Sequence, residues 1–265
     1  MDTTQGAGGM YLYAVVPKAS AKDFGEVQGV EQGKVYSVES GDLAAVVSDL
    51  PTREELRPER RLLSAHQQVL TRVTDSSRVV LPVSFGTIAE GGEAVRDLLQ
   101  RYHEDLSSQM RRVEGKAEMG VRVSYAASKP TVFEFLVASN PSLRQARDQI
   151  AQSGREPTRE EKIDLGQKVD AALSSLREEY TQRMTQALGG IAAESKSLPV
   201  RQEAEFVNLA CLVGRDRQAD FDAAVKAAAG LFPDSFILEQ RGPYPPYDFV
   251  DMHIKSEPRM SGGGP

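Results

Sequence analysis

Tryptophan is absent from this chain of 265 residues, cysteine occurs once and histidine three times. A single Cys211 excludes an intramolecular disulfide and every Cys-x-x-Cys metal or redox pair. It lies inside the apolar run 206–213 and reads as a buried, inert thiol, because a reactive thiolate needs an electropositive, accessible setting. His66, His103 and His253 do not stand at ligand spacing from one another, so no metal site is expected. No apolar run approaches the ~18 residues that cross a bilayer. Residues 1–9 are polar and glycine-rich, without the cationic and apolar stretches of a secretory signal. The expectation is a soluble, cytoplasmic protein with no membrane partner.

Chemistry-bearing motifs are missing too. There is no Gly-x-x-x-x-Gly-Lys-Ser/Thr, no Gly-x-Gly-x-x-Gly and no Gly-x-Ser-x-Gly, which removes the common phosphate, dinucleotide and nucleophile-elbow signatures. The adjacent carboxylates Glu54/Glu55, Glu160/Glu161 and Glu178/Glu179 lie in amphipathic or flanking stretches, where solvation or i,i+4 pairing with Arg and Lys accounts for them. His66 interrupts an apolar helical face and reads as a hydrogen-bonded, semi-buried histidine. No catalytic residue and no cofactor are expected. The net charge of -6 opposes nonspecific nucleic-acid binding. Phe85 stands nearly alone as a stacking aromatic in its strand, so an RNA-binding sheet is a minor alternative, beside an enzyme with an unrecognised site.

What is present is an ordinary globular balance, 40% hydrophobic and 26% charged, long enough for one large or two small cores. Residues 10–16 form a continuous apolar, β-rich run closed by Pro17, the pattern of a strand buried on both faces. Residues 34–39 and 43–47 flank Ser40, Gly41 and Asp42 as a β-hairpin. A helix is expected from near Pro58, with Leu62, His66, Val69 and Val73 on one face. Residues 78–88 read as a strand, at an edge or bulged because Pro82 cannot donate to a ladder. A further helix follows Gly91 and Gly92 and ends near Gly115.

The second half opens with strict alternation, Met119, Val121, Val123 and Tyr125 against Glu118, Gly120, Arg122 and Ser124, a strand wet on one side. Residues 130–195 are read as almost wholly helical, broken at 154–157. The second helix is capped by Thr158 with Glu161 three residues on. Its stripe of Val169, Leu173, Leu176, Tyr180, Met184, Leu188 and Ile191 packs on the helix of residues 132–150 or forms a seam for a partner helix. Strand, helix and strand are expected over 205–213, 218–229 and 235–240.

The fold class is therefore α+β, in two domains with antiparallel-rich sheets and packed helices. The expected division is a tail at 1–9, an N-terminal domain at 10–115, a C-terminal domain at 116–254 carrying a helical hairpin insertion at about 130–195, and a tail at 255–265.

The stretch 241–250 is unlike the rest. Pro243, Pro245 and Pro246 alternate with Tyr244, Tyr247 and Phe249 directly after a strand. Proline fixes φ and removes donors, so the piece is stiff and extended or turning. Its rings either cover the core of the second domain or form a preorganised recognition strip of Gly242, Pro243, Tyr244, Pro245, Pro246, Tyr247 and Phe249.

The segment 242–250 resembles the carboxy-terminal signature of the gas vesicle F/L protein family. Tyr-Leu-Tyr-Ala-Val-Val at 11–16, Val-Val-Leu-Pro-Val-Ser-Phe-Gly-Thr-Ile at 79–88, Gly-Lys-Ala-Glu-Met-Gly-Val-Arg-Val at 115–123 and His66 in Ser-Ala-His-Gln-Gln-Val-Leu agree with that family in order. Tyr244 stands where the family more often has tryptophan. The resemblance implies a two-domain α+β architecture with ferredoxin-like features, association with gas vesicles, and no cofactor or catalytic residue. It implies a part in vesicle assembly through contact with the major hydrophobic shell protein and other accessory proteins, or alternatively a place as a minor component of the mature shell.

Overall fold

The strand β1 (Gly9–Pro17) is the centre of the first sheet, and its side chains from Tyr11 to Val16 are all fully buried. Its unbroken apolar sequence accounts for this, since a strand covered on both faces needs no polar alternation. The computed structural model describes residues 8–21, 24–126 and 130–251. The expected tails fall mostly outside these residues, as does His253, whereas Gly9 already belongs to β1.

Strands β2 (Val35–Ser40) and β3 (Leu43–Leu50) form the expected hairpin. Gly41 opens its two-residue turn at φ 62°, a conformation in which glycine escapes the Cβ penalty and the turn matches strand twist. Helix α1 (Arg60–Ser76) buries Leu62, His66, Val69, Leu70 and Val73. The strand expected over 78–88 is replaced by two short pairings against β1, namely β4 (Leu81–Pro82) and β5 (Ile88–Ala89). Pro82 lacks an N–H and Gly86 turns the chain at φ 87°, so one continuous ladder cannot form. The next helix divides at Tyr102 into α2 (Gly92–Arg101) and α3 (His103–Val113).

The sheet order is β2-β3-β1-β4, with β5 also on β1. Among its described residues the connection from β1 to β2 has two short 3-10 turns and an isolated bridge between Gln28 and Lys34.

Strand β6 (Lys116–Tyr125) alternates as its sequence demands. Three helices come next: α4 (Val132–Ser139), α5 (Pro141–Gln152) and α6 (Arg159–Leu188). The single helix expected over 132–150 is two, because Asn140 caps a new start with Pro141 in its first turn, and the residue before a proline is driven out of the helical region. The expected two-helix hairpin is thus corrected to a three-helix crossover. The Thr158–Glu161 capping box is present, and Leu173, Tyr180, Met184 and Leu188 of the α6 stripe are buried in the core.

Helix α6 stops before Gly189 and Gly190, and Ala192–Ser197, read as helical to about residue 195, forms strand β7 against β8 (Glu205–Gly214). Helix α7 (Gln218–Ala228) leads to β9 (Phe236–Tyr244). The order β7-β8-β6-β9 and the succession β-α-β-β-α-β make this a ferredoxin-like sheet. Its core gathers Phe206, Phe221, Tyr180 and the inward residues of β6.

Two compact units result. Among the described residues, 8–118 with 243–251 group as the first and 119–242 as the second. The segment 243–251 therefore groups with the first unit, where the sequence reading sets it in a domain at 116–254.

Candidate functional site

Strand β9 runs into the proline-aromatic strip, with Gly242 at φ 110°. Pro245 and Pro246 then lead into a 3-10 turn at Tyr247–Phe249. This turn closes locally, Tyr247 N–H donating to Pro245 O at 2.8 Å and Phe249 N–H to Pro246 O at 3.2 Å.

Tyr247 packs against the core of the first unit. Its hydroxyl lies 3.1 Å from Nε2 of His66, and Nδ1 of that imidazole lies 2.9 Å from the Tyr11 hydroxyl. The Tyr11 oxygen also accepts from Gly86 N–H at 3.0 Å. Tyr11 is fully buried, so its own hydrogen needs an acceptor. Tyr11 O–H donating to Nδ1, with Nε2–H donating to the Tyr247 oxygen, meets that need. Phe85 and Tyr13 complete a ring cluster around the imidazole.

Burial pushes the His66 pKa down to about 4, which keeps the ring neutral at pH 7. Burial pushes the Tyr11 and Tyr247 hydroxyls up, with the Glu118 charge adding to the shift at Tyr247. The trio is thus a neutral hydrogen-bonded chain that ties β1, α1 and the strip together.

Three further side chains hold the backbone beyond Tyr247. Glu118 Oε2 accepts from Asp248 N–H at 2.8 Å. Arg112 donates to Phe249 O at 3.3 Å. The Gln109 amide pairs with the backbone of Asp251, donating at 3.0 Å and accepting at 2.8 Å.

The strip therefore divides. Pro245, Pro246 and Phe249 are buried and Tyr247 is half-buried, while Gly242, Pro243 and Tyr244 are exposed, Tyr244 at 40%. In the later part Tyr247 covers the core of the first unit, and the earlier part is exposed. The anchors Gln109, Arg112 and Glu118 do not stand out in the sequence as site residues. Gln109 carries a signal, being a polar residue on the buried stripe of Leu106, Met110 and Val113.

His66 is buried and doubly hydrogen-bonded. His103 pairs instead with Asp42 at 2.5 Å on the surface, which holds the Asp42 carboxyl below its ordinary range. Cys211 is buried in β8. Glu161 is held down to about 2, chiefly by its hydrogen bonds from Arg155, and takes part in the cap. Among the described residues no group of three His, Cys, Asp or Glu side chains is placed to hold a metal ion, and no helix is long and apolar enough to cross a membrane. An open depression of about 580 Å³ lies beside α1, lined by residues such as Phe24, Val27, Gln67 and Arg72.

Comparison with known proteins gives one consistent result. The family described as "Gas vesicle synthesis protein GvpL/GvpF" matches residues 9–251. A gas vesicle protein F from a Streptomyces species is 34% identical over 211 residues, covering 80% of this chain and 85% of the relative. Gas vesicle protein F of Haloferax mediterranei is 27% identical over 251 residues, covering 94% and 96%. The crystal structure of GvpF from Anabaena sp. superposes with a TM-score of 0.76 at 26% identity, covering 92% of this chain and 99% of that one.

Proposed function

Because the chain belongs to the GvpL/GvpF family of gas vesicle synthesis proteins, and so is a gas vesicle accessory protein, we propose that it acts in vesicle assembly by binding the hydrophobic shell protein and other accessory proteins, as an interaction component and not an enzyme. The observation that carries this reading is the division of the strip. Its later residues are locked through His66, Gln109 and Glu118, and Pro243 and Tyr244 are held out to solvent on that rigid base. A preorganised ring loses little conformational entropy on binding, and tyrosine offers both an apolar face and a hydroxyl. A shell subunit with exposed apolar surface aggregates unless it is escorted or incorporated promptly.

Deletion of the gene in its host, followed by flotation and electron microscopy, tests the role. Vesicles of normal shape and number in the deletion strain would overturn it. Complementation with Tyr244→Ala tests the contact: vesicle yield and co-purification of the shell protein are expected to fall while the soluble protein level stays unchanged. Undiminished co-purification would remove Tyr244 as the contact.

A further inference from the structure

Strand β9 is an edge of the second sheet, with β6 as its only sheet neighbour among the described residues. Every residue of it from Glu239 to Tyr244 is exposed, and Ile237 is 54% exposed. A long bare edge is a template for another strand, and proteins usually blunt it. The opposite edge, β7, is blunted: it is six residues long and its register shifts between Ala192 and Glu194. Strand β9 carries Pro243, which looks like the same device.

That proline, however, lies at the strand's last turn of direction, past Gly242 at φ 110°. Ala126 N–H donates to Ser235 O at 2.9 Å, and Gly120 faces Arg241, a Cβ at Gly120 lying 3.6 Å from that of Arg241. These two contacts set β6 and β9 antiparallel, with Ala126 beside Ser235 and Gly120 beside Arg241. Backbone groups alternate sides along a strand. Ser235, and with it residues 237, 239 and 241, turn their N–H and C=O toward β6. Leu238 and Gln240 turn theirs outward. Gly242 at φ 110° interrupts the extended backbone, and Pro243 lies beyond that break, so the outer donors of Leu238 and Gln240 are kept.

The sequence of this outer edge complements itself. An antiparallel pair of identical strands must match outward residues with outward residues, and its twofold axis passes through an outward residue or through an inward residue between two of them. An axis through Gln240 sets Glu239 of each copy opposite Arg241 of the other. Moving the axis to Leu238 sets Ile237 against Glu239, and moving it to Gly242 sets Arg241 against Pro243. Only the Gln240 axis pairs opposite charges, and it does so twice. Within one copy Arg241 and Glu239 already meet at 2.9 Å, so the pair would close into a four-charge cluster.

We propose that β9 is a self-pairing edge, through which a second copy of this chain joins antiparallel about a twofold axis at Gln240. Such an interface is isologous and closes at two copies. It is small, so the dimer is expected in the micromolar range and not as an obligate assembly.

The test is sedimentation equilibrium of the full chain across the micromolar range, with variants at exposed positions that leave the fold intact. Arg241→Glu and Glu239→Arg are each expected to weaken self-association about tenfold, since each replaces two opposite-charge pairs with like-charge ones. The double exchange Glu239→Arg/Arg241→Glu is expected to restore it. As a second readout, Gln240→Cys is expected to give a disulfide-linked dimer under mild oxidation, and Ser197→Cys on β7 is not. A chain that stays monomeric throughout, a dimer indifferent to either charge reversal, or a double exchange that restores nothing would each overturn the proposal. So would equal cross-linking at both cysteines, or a β9 that captures a different protein while the chain remains monomeric.

Discussion

The two units share one strand order, β2-β3-β1-β4 in the first and β7-β8-β6-β9 in the second, yet they cover their sheets by different means. In the second, the crossover from β6 to β7 supplies three helices, and the core beneath them is dominated by rings: Phe206 meets Phe135, Tyr180 and Phe236. In the first, the corresponding crossover is an irregular stretch bringing Phe24 and Val30 to the core. A helix satisfies its own backbone, but an irregular segment must find partners for each buried N–H and C=O. Tyr13 supplies one of these, its hydroxyl accepting from Val30 N–H at 2.7 Å and bonding Ser48 at 2.8 Å. The strip near the chain's end supplies further cover through Tyr247. The first unit is therefore wired by hydroxyls and an imidazole where the second is packed by rings.

That contrast can be broken most severely in the second unit. Phe206 is fully buried and touches four other aromatic or cationic groups. Phe206→Ala removes a large side chain from a close-packed site, and a loss of about 3–5 kcal/mol is expected. Urea unfolding followed by a probe in the second unit measures it. A loss below about 1 kcal/mol would mean that this core does not depend on its rings.

The first unit should respond to pH through His66, between its ordinary and its folded pKa. His66 has an ordinary pKa of 6.5 and a folded pKa of about 4. The folded state thus binds fewer protons than the unfolded state between these values. Stability from the neutral ring is fully present above pH 6.5 and is lost as the pH falls toward 4, by roughly 3 kcal/mol. His66→Phe removes this dependence. At pH 7 the variant is less stable by about 1–3 kcal/mol, because the Tyr11 and Tyr247 hydroxyls lose their shared partner. The two stability curves therefore converge on acidification, and parallel curves would refute the neutral imidazole.

Local signals account for what can be read from sequence. The apolar run of β1, the Gly41 turn and the Thr158–Glu161 box each act within a few residues. The break at Asn140 and Pro141 is equally local, but the helical periodicity on either side masks it. Strand β7 is hidden for a different reason. Ala-Ala-Glu-Ser-Lys-Ser has little strand propensity, and its conformation comes from pairing with β8, a tertiary influence that outweighs propensity. The destination of the strip is the least legible feature. Tyr247 finds His66 across 181 positions, and nothing in either neighbourhood names the other, although an apolar helix face around His66 does signal that the ring needs a hydrogen-bond partner.

The finest test separates the two tyrosines of the strip. Tyr247→Phe keeps the ring against the first-unit core and removes only the oxygen that accepts from His66. It should cost about 1 kcal/mol, the net worth of an ordinary buried hydrogen bond. Tyr244 is exposed, and Tyr244→Phe should change stability by less than about 0.5 kcal/mol. Chemical denaturation of both variants beside the parent chain reads the difference. If the strip anchors at its later end and presents its earlier end, stability follows Tyr247 and shell-protein capture follows Tyr244. Equal stability losses at both positions would mean that the whole strip is cover and that the division at Pro245 has no energetic meaning.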